Sequence, residues 1–172
     1  MTIQADSFLI VAAEIAVAFI GFASLVGVFA SRGSGTLSAS AYISLRALLD
    51  YGLIALFASG FPLLLAMSDL DSEYFWQVAS ATSVAVWAVY VLLSRIYYRE
   101  IAEEASRSAS LQPRVLLVVD AASMLLVFLN ALGVFFESNA VAYCAGAVAW
   151  RLAGAAFSFR SLVGEIWSTP SD

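Results

Sequence analysis

Four side chains set inside long apolar stretches are the ones able to do chemistry in this sequence: Glu14, Asp120, Asn130 and Arg151. Charged groups inside a membrane are rare and costly. A central Arg costs from roughly 3 kcal/mol on insertion scales to more than about 10 kcal/mol in simulations. Such groups either neutralise one another or line a path for an ion or a polar solute. Arg151 shares its helical face with Cys144, Ala147, Gly154, Ala155 and Ser158. These residues are small enough for a second helix to come close, so Arg151 is expected to point into the protein. Glu14 falls roughly 10 Å inside one interface, and Asp120 lies at a similar depth from the other. The long stem of Arg151 can reach either level. Asp120, Ser123, Val127 and Asn130 recur at helical spacing and form a mostly polar stripe.

Two roles follow for this cluster. In one, Arg151 bonds Glu14 or Asp120 and holds the helices in register. In the other, the same groups line a water-filled route. Arg46 and Asp50 stand four apart close to an interface, a spacing that pairs them locally. Gly60 and Pro62 mark a kink or a hinge, because Pro removes a backbone donor and bends a helix.

The absent residues exclude more than the present ones prove. The sequence has no His, the commonest general base and metal ligand. Its single cysteine, Cys144, cannot assemble a thiolate metal site. Ser34 lies between Gly33 and Gly35, but no strand precedes it and no Lys follows, so it is not a phosphate loop. The expectation is a protein without metal or cofactor and not an enzyme. Chemistry by Asp50 and Asp120 is the residual catalytic possibility. A net charge of −5 and the lack of any basic, aromatic-interleaved stripe argue against a nucleic-acid partner.

The elements that must position these residues are membrane helices. Of 172 residues, 62% are hydrophobic and 12% are charged. A soluble domain of this size leaves too much surface in water to hide that composition. Apolar runs at about 8–30, 48–67, 74–94, 115–136 and 140–159 are each long enough to span a bilayer. The first is expected to be a retained helix, since no positive segment precedes it. The whole chain is expected to be one transmembrane domain. Residues 95–112 are expected to continue the third helix into the cytoplasm, with Gln112-Pro113 stopping it. Glu103 and Arg107, four apart, favour helix there.

With the N-terminus outside, Arg32, Arg46, Arg95, Arg99, Arg107, Arg114 and Arg160 all fall on the cytoplasmic side. Asp6, Asp69, Asp71, Glu73 and Glu137 mark the outer side, as the positive-inside rule requires. The expected architecture is an all-α bundle of five spans in the cell membrane, C-terminus inside. Its partners are then the lipid bilayer, further copies of itself, or another membrane protein. Two functions fit: an oligomeric channel or transporter using the polar cluster, or an accessory subunit that binds another membrane protein. For the accessory role, small residues on the first helix (Ala16, Ala18, Gly21, Ala23, Ser24, Gly27) and the series Ala145, Ala149, Ala153 offer close-packing faces.

Overall fold

Long apolar runs broken by Gly, Ser and Asp become helices, because a backbone in lipid must satisfy its hydrogen bonds within its own segment. The computed structural model describes residues 3–32, 39–68, 74–105, 112–135 and 138–168, and every regular element among them is helical. These elements are α1 (Ile3–Arg32), α2 (Ala39–Leu65), α3 (Phe75–Ala105), α4 (Gln112–Ala131) and α5 (Asn139–Tyr143). A π-helical stretch (Cys144–Ala149) then leads into α6 (Trp150–Ser168). Among the described residues four segments are long and apolar enough to cross a membrane: Gln4–Phe29, Ala41–Leu65, Phe75–Leu93 and Asn139–Glu165. Val119–Ala131 is a shorter apolar helix. The chain is an all-α membrane protein.

The helices depart from the hydropathy reading at several points. The second helix begins at Ala39 rather than near residue 48, because Arg46 and Asp50 interrupt the apolar run without interrupting the helix. Gln112-Pro113 opens α4 instead of closing α3. A Pro in the first turn gives up an N–H that has no partner there anyway. The third helix does run on past residue 94, to Ala105; residues 106–111 lie outside the described residues. The last span is interrupted by six π-helical residues, Cys144 to Ala149, almost all small.

The chain divides into two compact units, residues 61–147 and residues 2–60 with 148–172. Both crossings fall at irregular points of helices. One is at Gly60–Phe61, beside Pro62 in α2, and the other is at Ala147–Val148, inside the π stretch.

In the first unit α4 packs chiefly on α3, and α5 packs on both. The chain leaves α4 through Gly133, whose φ of 79° suits a residue without Cβ. Gly133 N–H bonds the Asn130 carbonyl at 3.0 Å, and Val134 N–H bonds the Leu129 carbonyl at 3.1 Å. This pair of bonds is a Schellman closure, which satisfies the last carbonyls of the helix. Gly146 sits against α4 so tightly that a Cβ there would meet the Ser123 carbonyl at 3.0 Å.

In the second unit α1, α2 and α6 come together. A Cβ on Gly52 would lie 2.9 Å from Ile20, and Gly27 sits beside Leu45, so α1 and α2 run antiparallel. Gly154 abuts the Tyr51 ring, while Leu162 shares a buried cluster with Leu45 and Leu48. That order makes α6 antiparallel to α2 and parallel to α1. Phe159 packs tilted against Phe19 and edge-on to Phe22, with centroids 6.0 and 4.7 Å away. Close approach at small residues is what associates helices in lipid, where tails are as apolar as Leu and area burial drives little.

Candidate functional site

The second unit holds two of the intramembrane charges. Arg151 lies in the first turn of α6 and is 1% exposed, the largest fully buried side chain in the described structure. The small residues of its face do admit a neighbour. Tyr51 fills the groove over Gly154, and the guanidinium carbon stands 5.9 Å from that ring's centroid. A cation over an aromatic face is attracted by the ring quadrupole, more so away from water.

Glu14 is exposed, and it forms no ion pair among the described residues. Of the two partners expected for Arg151, Glu14 or Asp120, Glu14 is not bonded to it, and the reason is directional. About two turns before Phe159 lies Arg151, and about two turns before Phe19 and Phe22 lies Glu14, so the two share a depth on parallel helices. Arg151 points inward. Glu14 points outward, because α1 buries Ala5, Leu9, Ala12, Ala16 and Ala23, a stripe on the opposite side of the helix from residue 14. The small residues of α1 divide in the same way. Ala16 and Ala23 are buried, whereas Ala18, Gly21 and Ser24 are exposed on the side of Glu14.

In the first unit the polar side chains bind one another. The Trp87 indole N–H donates to Asp120 Oδ2 at 2.8 Å, joining α3 to α4. Ser123 turns back and donates to the Asp120 carbonyl on its own helix, at 2.8 Å. Asn130 is fully buried, and its Nδ2 donates to Ser80 Oγ at 2.9 Å and to the Asn139 carbonyl at 3.0 Å. A carbonyl only accepts, so this contact fixes which end of the Asn130 amide carries nitrogen. The buried Oδ1 atoms of Asn130 and Asn139 accept no hydrogen bond. Ser83 Oγ and Tyr143 Oη lie 2.9 Å apart, and Trp76 packs on the Tyr143 ring at 5.4 Å.

The polar stripe of α4 was legible, but its partners were not. Trp76, Ser80, Ser83 and Trp87 recur at three- and four-residue spacing on α3, which is the signal that would have found them. Trp87→Phe keeps the ring bulk and removes the donor to Asp120. It is expected to lower stability by about 1–2 kcal/mol, the upper range for hydrogen bonds between membrane helices, in an unfolding titration in mixed micelles.

Arg46 and Asp50 form an ion pair, Nε to Oδ2 at 3.8 Å, with both side chains partly exposed. Such a pair contributes little to stability. They line a shallow recess of about 340 Å³ along α2 with Tyr42, Leu45, Leu49 and Leu53. Pro62 is buried and Gly60 has open space over its Cα. Just before the proline, Ser59 Oγ donates to the Ala55 carbonyl at 2.8 Å. Among the described residues no group of three or more His, Cys, Asp or Glu side chains is placed to hold a metal.

The arrangement can hold helices together from within and can present a carboxylate from without. No family model matches the chain, and no similar protein was found among curated sequences or solved structures.

Proposed function

We propose that this chain is a non-catalytic subunit of a membrane assembly, which joins another membrane protein along the outer face of α1. One observation carries the reading. Glu14 lies inside a segment built to cross the membrane and is exposed on the side of α1 away from α2 and α6. A carboxylate left against hydrocarbon is costly, so a neighbour that covers it has free energy to gain. The interior argues in the same direction. Asp120, Ser123 and Asn130 are engaged with partners of their own unit, which suits tethers better than a route for solutes.

The chain sits in the cell membrane, with five passes and the N-terminus outside. Cysteine labelling in a Cys144→Ala background tests that orientation. A thiol at position 71 should react from outside and one at position 107 from inside only, and the reverse pattern would overturn it.

A second reading has its own support. Ser7, Glu14 and Gly21 share one exposed face, so a ring of copies could turn a polar stripe toward a water-filled axis. Flux through proteoliposomes of the purified protein separates the two. The subunit reading expects no movement of ions or small solutes under a gradient or a voltage. A flux that Glu14→Gln changes would replace it with the channel reading.

A further inference from the structure

The outer face of α1 has a definite pattern. Ser7, Val11, Glu14, Ala18, Gly21 and Leu25 are all exposed and recur at alternating four- and three-residue spacing. That is the seam along which two helices pack side by side. Ala18 and Gly21 follow Glu14 within two turns, and a Cβ added at Gly21 would meet nothing within 4 Å. A helix backbone can therefore come close beside the carboxylate.

The charge decides what that helix carries. Copies of this chain inserted in one orientation share each residue's depth. Arg151 lies at the depth of Glu14, but it is 1% exposed and turned inward. Arg160, exposed on α6 next to Phe159, lies about 12 Å farther along the axis, and Arg46 lies about 20 Å away, beside the level of Gly27. Among the described residues a second copy thus has no accessible cation to offer. It would instead bring carboxylate against carboxylate, which costs free energy in a medium of low dielectric.

We infer that the α1 face docks a membrane-spanning helix of a different protein, one carrying an Arg or Lys at the depth of Glu14. This rests on the lateral-assembly reading above and adds the chemistry of the partner. The cation meets the carboxylate away from water, where a charged pair is held more strongly than at a surface. Arg adds a fork that matches both carboxylate oxygens.

The test uses the full chain, labelled at its C-terminus and reconstituted in phosphatidylcholine vesicles. The probes are two synthetic spanning peptides, polyleucine with one central Arg and polyleucine alone. Energy transfer should report at least about tenfold tighter binding of the Arg peptide, and Glu14→Gln should erase the difference. Position 14 is exposed, so this variant keeps its fold, and an unchanged melting curve checks that. Equal binding of both peptides, abolished by Gly21→Leu, would overturn the cation while leaving docking through α1 intact. Binding of neither peptide would overturn both. Energy transfer between copies of the chain that Glu14→Gln removes would name a second copy as the occupant and overturn the inference.

Discussion

Asn130→Asp is expected to lose at least about 3 kcal/mol of stability, although it exchanges one amide for a carboxyl of the same shape. Asn130 is fully buried, and its Nδ2 donates to the Ser80 hydroxyl and to the Asn139 carbonyl. Ser80 can turn its hydrogen toward a new acceptor, but the Asn139 carbonyl cannot. A carboxylate placed there sets two oxygens against each other at hydrogen-bond distance, in a fully buried site. Asn130→Leu removes the same bonds without adding charge, so its loss should be smaller, about 1–3 kcal/mol. Unfolding titrations of both variants in mixed micelles check the ranking. An Asp variant within about 1 kcal/mol of wild type would mean that Asn130 does not tie α4 to Asn139.

Arg151→Ala is expected to cost at least about 3 kcal/mol, without leaving Glu14 as a stranded partner. Pairing with Glu14 would have made the loss a stranded acid. Glu14 faces the other way, so the loss includes the space around a long, fully buried stem and the contact with Tyr51. Truncation leaves a cavity, because Gly154 offers no side chain to fill it and the Tyr51 ring is already in contact with Gly154. Arg151→Met restores much of the stem's volume and should recover about half of the loss. A protein with Ala at 151 that melts like wild type would show the stem to be dispensable.

These two residues also show what a sequence can tell about such a protein. The helices were legible because lipid makes hydropathy run length nearly equivalent to helix. Their ends were less so. Arg46 and Asp50 look like an interface to a hydropathy count, yet four-residue spacing lets them pair on an unbroken helix. Pro113 looks like a stop, yet it is equally at home in a first turn. The π stretch from Cys144 to Ala149 left no mark, because small residues accept either winding. Arg151 was correctly directed inward by the small residues of its own face. Glu14 was not, because α1 carries small residues on both faces and its hydropathy gives no side the preference. The buried set Ala5, Leu9, Ala12, Ala16 and Ala23 resolves the ambiguity, and it does so only once α2 and α6 are in place.

That direction is also the centre of the functional account, and labelling with a lipid-dissolved carbene reads it without any substitution. Val11, Ala18 and Leu25 flank Glu14 on the exposed seam, and Leu53 of α2 is an exposed reference outside it. In purified protein in lipid, all four should take up label. In the native membrane, uptake at Val11, Ala18 and Leu25 should fall several-fold while Leu53 stays labelled, because another membrane protein covers the seam. Equal labelling of the seam in both settings would show α1 facing bare lipid in the cell and would contradict the account.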